Sequence, residues 1–224
     1  MQYRNELKHL ISPADRAAIC ATMKTVAQLD RHAQAKGYYT IRSLYFDNIN
    51  DKALREKNDG VNEREKFRIR YYDGDTSVIH LEKKVKRNNL GYKVACDLTA
   101  EEAQRIVDGD TLWMASDRRG LVVELYAKMK SQCLRPKTIV DYERIPFVYK
   151  TGHVRVTIDF NIRTGLRCTD FLNPNCVTIP AGGNDIILEV KWDNYLPSFI
   201  RHAVQLKGRS QQAFSKYAQC RIYG

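Results

Sequence analysis

Strict alternation between cationic and apolar residues is the feature that most constrains how this chain can fold. It is clearest in residues 66–71, which read KFRIRY. A period of two is the pattern of a half-buried β-strand, so the three cations leave one face and the three apolar side chains leave the other. One such strand usually turns its charged face to water. Repetition of the pattern in other strands would indicate a shared charged surface.

Three later segments repeat the pattern: residues 77–86, 153–160 and 186–192 also place charged side chains on one face and branched or aromatic ones on the other. Like charges directly opposite one another destabilise a sheet. We therefore expect an anion to lie among the aligned charges. These are the cations Lys66, Arg68, Arg70, Lys84, Lys86, Arg155 and Lys191, against the carboxylates Glu82, Asp159 and Glu189.

The repeated alternation predicts an α+β fold in which a closed antiparallel β-barrel encloses a tunnel and helices pack on its apolar outside. Helix starts are predicted at Ser12, which precedes a proline, and at Thr99, which stands three residues before Glu102 in a capping-box pattern. The chain has 224 residues and no internal repeat or linker. We therefore expect a single domain over residues 1–224.

The net charge of +11 and the sequence pI near 9.4 indicate an anionic partner. Nucleic acid, a phosphorylated metabolite and an acidic membrane surface all fit such a charge. The aromatic residues alternate away from the cations, which disfavours the exposed stacking platforms typical of RNA recognition. No apolar run is long enough to span a membrane. A cytoplasmic protein is expected, with six scattered cysteines as free thiols.

The few carboxylates among the aligned cations suggest a divalent metal, because Asp and Glu oxygens together with phosphate are the usual ligands of Mg²⁺ or Mn²⁺. Glu189 is the best single candidate, since it lies at the centre of a predicted strand beside Lys191. A salt bridge to a neighbouring cation explains Glu189 equally well from the residues alone.

An ordered set of motifs across nearly the whole chain resembles the VTC domain of polyphosphate polymerases, within the CYTH or triphosphate tunnel metalloenzyme superfamily. The motifs are Arg4…Lys8, Lys66-x-Arg68-x-Arg70, Glu82-Lys83-Lys84, Arg144, Arg155-Val156-Thr157-Ile158-Asp159, Glu189-Val190-Lys191 and Phe214-Ser215-Lys216-Tyr217. The resemblance implies an antiparallel tunnel that binds triphosphate and Mn²⁺ or Mg²⁺. It also implies metal-dependent transfer of the ATP γ-phosphate to a growing inorganic polyphosphate chain.

The resemblance also implies site residues, position by position. Phosphate would be bound and held for catalysis by Lys8, Arg68, Arg70, Lys84, Arg144, Arg155 and Lys216, with Ser215 also binding substrate. Strand parity or closeness to the motifs adds Lys66, Lys86, Lys93 and Lys191 as substrate-binding residues. Glu189 matches the metal-binding glutamate.

One departure from the superfamily bears on activity. Its N-terminal E-x-E-x-K motif stands here as Arg4-x-Glu6-x-Lys8, which loses the first carboxylate and disfavours a plain triphosphatase or adenylate cyclase. Three classes stay open: the ATP-dependent polymerase, a tunnel hydrolase of inorganic or nucleoside triphosphate, and a non-enzymatic polyphosphate-binding module. The expected partners are ATP and polyphosphate and not nucleic acid, while a membrane partner and the oligomeric state are left open.

Overall fold

The computed structural model describes residues 4–88, 90–205 and 213–222. Its strands are β1 (Asn5–Ile11), β2 (Gln28–Leu29), β3 (Tyr39–Asp47), β4 (Arg64–Tyr72), β5 (Asp75–Arg87), β6 (Leu90–Leu98), β7 (Arg135–Tyr149), β8 (Val154–Thr164), β9 (Ile179–Pro180) and β10 (Ile186–Trp192). Its α-helices are α1 (Pro13–Val26), α2 (Lys52–Asn58), α3 (Ala100–Asp108), α4 (Gly120–Ser131), α5 (Ser198–Val204) and α6 (Lys216–Cys220). The predicted α+β class is confirmed.

The long strands form one antiparallel sheet in the order β1-β10-β8-β7-β3-β4-β5-β6, with β2 added to β7 and β9 added to β8. Among the described residues, the edge strands β1 and β6 meet through one isolated bridge between Arg4 and Gly91. An ion pair also joins the two ends of the sheet, because Lys84 Nζ on β5 lies 2.9 Å from Glu6 on β1. The sheet is therefore a curled half-barrel.

Within the described residues the barrel is not fully closed, so the predicted closed antiparallel barrel is confirmed only as a curled antiparallel sheet. Residue alternation sets which face of a strand each side chain takes. It does not determine whether the first and last strands of a curled sheet exchange a ladder of backbone hydrogen bonds, so closure could not be derived from it.

The convex face of the sheet is apolar and covered by helices, as predicted. Phe67, Ile69 and Tyr71 are each less than 5% exposed and share one core cluster with side chains of α3 and α4. A second cluster packs α1 and α5 against β8 and β10. Burial of these apolar faces on the outside leaves the alternate, charged side chains of the same strands on the concave face.

Both predicted helix starts are confirmed by their hydrogen bonds. Ser12 Oγ accepts from the Asp15 amide at 3.1 Å, and Asp15 accepts from the Ser12 amide at 2.8 Å. Thr99 and Glu102 form the same reciprocal pair at the start of α3. These bonds satisfy amides that a helix start otherwise leaves without partners. No helix in the described part of the chain is both long and apolar enough to cross a membrane.

One end of the concave face is filled by α6. Tyr217 is 1% exposed and stacks on Tyr45 with ring centroids 5.1 Å apart, and its hydroxyl donates to Asp47 at 2.7 Å. Cys220 and Ile187 belong to the same apolar cluster. Docking of α6 in this way fixes the two residues at its start, Ser215 and Lys216, against the charged part of the concave face.

Candidate anion-binding site

The charged part of the concave face encloses two adjoining cavities of about 320 Å³ and about 400 Å³. Among the residues that the structure describes, eleven cationic side chains and two carboxylates, Glu6 and Glu189, line the first. The structure brings the predicted site residues together. Those lining the first cavity are Lys8, Lys66, Arg68, Arg70, Lys84, Lys93, Arg144, Arg155, Glu189, Lys191, Ser215 and Lys216, and Lys86 lines the second.

Three lysines lie side by side across β4, β5 and β6. In the strand register Lys66 is directly opposite Lys84, and Lys84 is directly opposite Lys93. Lys84 and Lys93 each reach a carboxylate, Glu6 at 2.9 Å and Glu82 at 2.6 Å. We call Lys66, Lys84 and Lys93 the lysine row.

Lys66 has no carboxylate partner among the described residues, and its ammonium lies 5.3 Å from the centre of the Tyr45 ring. Burial, reinforced by the charges of Lys84 and Arg68, lowers the pKa of Lys66 to about 7. Like charges that face one another on neighbouring strands raise the free energy of the folded protein unless an anion joins them. The lysine row therefore has the charge arrangement of an anion site.

Glu82 orients two of the arginines of β4, Arg68 and Arg70. It is 2% exposed and accepts from Arg68 Nε at 2.7 Å, while Arg70 Nη1 lies 3.8 Å away. Arg70 Nε also donates to Ser43 Oγ at 3.0 Å. Burial alone would raise the pKa of Glu82, but the charges of Arg68 and Arg70 outweigh it and hold that pKa far below its usual value. Glu82 thus keeps its charge and fixes the orientation of both guanidinium groups.

Across the cavity, β1 and β10 carry two acids and two bases in alternation. Glu6 is opposite Lys191 in the register, and Lys8 is opposite Glu189. Lys8 Nζ lies 2.7 Å from Glu6 and 3.3 Å from Glu189, and Lys191 Nζ lies 3.2 Å from Glu189. Burial raises the pKa of Glu189, yet Lys191 and Lys8 overcome that effect and hold it well below its usual range. We call Glu6, Lys8, Glu189 and Lys191 the β1–β10 quartet.

The third group lies on β7, β8 and α6 around Asp159, which is fully buried. Arg144 donates to both of its oxygens, at 2.6 Å and 2.7 Å, and Lys216 Nζ lies 2.5 Å from it. Burial raises the pKa of Asp159, but Arg144 and Lys216 lower it to about 2. Asp159 therefore stays ionised and holds the arginine and lysine that the resemblance assigns to phosphate.

Two polar atoms at the cavity wall have no hydrogen-bond partner within the described ranges: Arg155 Nε and Thr157 Oγ1 are both buried and unpaired. Arg155 uses another nitrogen to donate to Tyr39 Oη at 2.7 Å. Thr157 is opposite Glu189 in the β8–β10 register. Buried polar groups are nearly always hydrogen-bonded, so these two donors fit a site that takes up an acceptor-rich ligand.

The residues around Glu189 fit Mg²⁺ or Mn²⁺ only if oxygen atoms of a bound substrate complete the coordination shell. In the described residues no group of three or more His, Cys, Asp or Glu side chains converges on one point. Of the described residues, Glu6 and Glu189 are the carboxylates that line the first cavity. Mg²⁺ commonly takes one or two carboxylates, with phosphate and water oxygens completing its shell. The ion pairs of Glu189 match its salt-bridge interpretation, and its metal role stays a prediction.

The prediction that the aromatic residues alternate away from the cations holds for Phe67 and Tyr71 but not for three tyrosines. Tyr45, Tyr72 and Tyr142 line the first cavity. Tyr72 has the same strand parity as Arg70 and could have been recognised by counting one residue further along β4. Tyr45 is opposite Arg68 in the β3–β4 register. Alternation within one strand says nothing about such a cross-strand pairing.

The sequence interpretation also missed two cations at the second cavity, Lys57 on α2 and Arg64 at the start of β4. Arg64 is opposite Lys86 and shares the parity of Lys66, so extending the alternation by two residues would have found it. Lys57 lies on a helix, and the packing of that helix against β4 brings it to the cavity. No strand pattern could indicate its position.

Comparison with known proteins identifies a family and a similar fold. The family model of the VTC domain matches residues 3–223. No curated protein matches the sequence. A solved structure of a Bacillus halodurans protein, described as a candidate adenylate cyclase, has 15% identity and a TM-score of 0.51, covering 90% of this chain and 84% of that one. A Pyrococcus horikoshii protein has 12% identity and a TM-score of 0.44, with the same coverage. At 15% identity the likeness to the Bacillus halodurans protein shows the fold alone.

Proposed function

We propose that this chain transfers the γ-phosphate of ATP to a growing polyphosphate chain. The chain belongs to the VTC domain family of triphosphate tunnel proteins, because the family model matches residues 3–223. The observation that carries the proposal is the charge of the first cavity. Eleven cations and two carboxylates line it, and two buried donors there lack partners among the described residues. A triphosphate or a polyphosphate supplies both the negative charge and the acceptor oxygens that this lining calls for.

The walls of the cavity suggest how phosphates would be held. Arg68 and Arg70 present guanidinium groups already oriented by Glu82, so little side-chain entropy is lost when they bind phosphate oxygens. Arg144 and Lys216, fixed by Asp159, face the same space. Phosphoryl transfer depends mainly on positioning and on neutralising charge at the transferred group, and fixed cations perform both tasks.

Glu189 is the residue we assign to the divalent cation, with Glu6 as its neighbour on β1. A bound Mn²⁺ or Mg²⁺ would neutralise charge on the phosphate oxygens as a Lewis acid. Lys8 and Lys191 hold Glu189 in the structure. We expect both lysines to turn towards phosphate oxygens when substrate enters, since those oxygens are stronger partners than a carboxylate shared between them.

Polymerase and hydrolase activity would use the same lining and differ in the acceptor, which is a polyphosphate oxygen in one and water in the other. Incubation of the pure protein with ATP and Mn²⁺ or Mg²⁺ separates them, with products resolved on a gel and free phosphate measured in parallel. Long chains that a polyphosphatase degrades would support the proposal. Free phosphate alone would make the protein a hydrolase, and neither product with tight triphosphate binding would make it a binding module.

A further inference from the structure

Two cysteines outside the cavity lie in contact. The sulfurs of Cys168 and Cys176 are 2.8 Å apart, in the segment between β8 and β9. Both are free thiols, and both are partly buried against the core cluster on the convex face. Cys20, Cys96, Cys133 and Cys220, the remaining cysteines, are also free thiols. Neither the alternating strands nor the proposed function gives this pair a role.

The backbone around each of the two thiols is fixed by hydrogen bonds that do not involve sulfur. The Cys168 amide donates to Gly165 O at 2.8 Å and the Cys176 amide to Asn173 O at 3.2 Å, so each cysteine ends a short turn. Gly165 passes close to the sheet there, since a Cβ atom on it would lie 3.0 Å from the Ile139 Cβ. Both turns are thus set by the chain itself.

The loop between the cysteines is anchored to the sheet at two further points. Tyr71 Oη donates to Phe171 O at 3.1 Å, and Arg42 Nη1 donates to Asn173 O at 2.7 Å. Phe171 is fully buried in the core cluster. A loop fixed in this way holds its thiols in reach of each other, so their reaction is intramolecular and favoured over reaction with separate molecules.

We propose that Cys168 and Cys176 are a reversible thiol–disulfide site that staples the loop over the convex face. With a small-molecule disulfide as oxidant, a thiolate of the pair attacks one sulfur of that disulfide and releases one small thiol. The second cysteine then attacks the mixed disulfide and releases the other. The protein loses two electrons and two protons, and the oxidant gains them as two thiols.

The staple should act on stability and not on the cavity. It closes a short loop and so restricts the unfolded chain, while the cavity side chains lie on the opposite face of the sheet. Burial, together with the adjacent Cys168 thiol, raises the pKa of Cys176 to about 12. Because the thiolate is the attacking species, we expect the reaction to be slow at pH 7 and faster as the pH rises.

The sequence gives a direct assay. Trypsin cleaves after Arg167 and Lys191, and the peptide between these sites contains Cys168 and Cys176 but no other cysteine. The folded protein is treated with oxidised glutathione, alkylated and digested without reductant. We expect this peptide to be about 2 Da lighter than the unmodified dithiol and to resist alkylation, with reversal by dithiothreitol. The Tm should rise by about 5 °C on oxidation, and the Kd for triphosphate should change less than twofold.

Two variants sharpen the test. Cys176→Ser should abolish both the mass loss and the Tm shift, and Cys133→Ser, which removes an exposed cysteine elsewhere, should keep both. The wild-type peptide map needs no variant, so the proposal stays testable even if Cys176→Ser folds poorly. A peptide that remains doubly alkylated after oxidation would overturn it, as would one that stops at the glutathione mixed disulfide.

Discussion

The lysine row and the β1–β10 quartet face the same cavity but differ in how their charges are balanced. In the quartet two carboxylates alternate with two lysines, and the four side chains pair with one another at 2.7–3.3 Å. In the lysine row three like charges are directly opposed in the register. Lys84 pairs with Glu6 and Lys93 pairs with Glu82. Lys66 has no carboxylate partner among the described residues.

This difference suggests that the lysine row and the β1–β10 quartet have separate roles in binding. A group of charges that neutralises itself is stable without ligand, whereas opposed like charges become favourable when an anion lies between them. We therefore assign the first contact with triphosphate to the lysine row. The quartet, which holds the carboxylates, is the wall that would exchange its internal ion pairs for a metal and phosphate oxygens.

The largest expected effect is on the quartet. Glu189→Gln keeps the shape of the side chain but removes the charge that would hold the divalent cation, so metal-dependent turnover should fall more than about 100-fold. Binding of triphosphate without metal should stay equal or become tighter, because one negative charge leaves a site for anions. Initial rates and titration calorimetry measure the two quantities, and circular dichroism checks the fold.

Glu124→Gln is the matched control. Glu124 pairs with Lys83 at 2.6 Å on α4, away from the cavity, so its loss should change turnover less than twofold. If Glu189→Gln retained the metal-dependent rate, Glu189 would be a salt-bridge partner only. The β1–β10 quartet would then have no role in binding the divalent cation.

A second test uses two lysines that are neighbours in the chain. Lys84 faces the cavity, and Lys83 leaves the opposite face of β5 to pair with Glu124. Lys84→Met should weaken triphosphate binding about 20-fold, the loss expected for one hydrogen bond to a charged group. Lys83→Met should leave the Kd unchanged. Equal losses in the two variants would mean that net charge, and not position on the concave face, governs binding.

Lys66→Met should have a smaller and two-sided effect. Binding should weaken about fivefold, yet the free energy of unfolding should rise by about 1 kcal/mol, because a buried charge beside like charges is removed while the stem of the side chain is kept. Thermal or urea unfolding measures the gain. A variant that is less stable than the wild type would show that the Lys66 charge does not destabilise the folded protein. That result would contradict the interpretation of the lysine row as an anion site.

The gain should also depend on pH in a defined direction. The pKa of Lys66 is about 7 in the folded protein and near 10.5 when unperturbed. Between these values the unfolded chain binds more protons, so the wild-type protein becomes more stable as the pH rises. The stabilisation by Lys66→Met should therefore be largest below pH 7 and shrink at alkaline pH.

The sequence could predict which side chains share the concave face but not how the walls close or pair. Period-two alternation placed Arg68 and Glu189 on that face because a pleated strand leaves no other choice. It could not give closure of the sheet, which depends on where its edge strands meet. It also could not bring Lys57 to the cavity or set Cys168 beside Cys176, since both depend on how a helix or a loop packs on the sheet.

The smallest expected effect is a difference in proton uptake when an anion binds. Lys66 belongs to the lysine row and Lys191 to the β1–β10 quartet, and burial lowers the pKa of both. The pKa of Lys66 is about 7 and that of Lys191 about 8. At pH 8 much of the Lys66 and Lys191 population is neutral. An anion that binds between the lysine row and the quartet raises both pKa values, so the protein should take up about one proton in total. Calorimetry in two buffers of different ionisation enthalpy measures that uptake. Lys66→Met should remove more of the uptake than Lys191→Met, because the Lys191 ammonium is already stabilised by Glu189; the reverse order would place the first contact with the anion on the quartet.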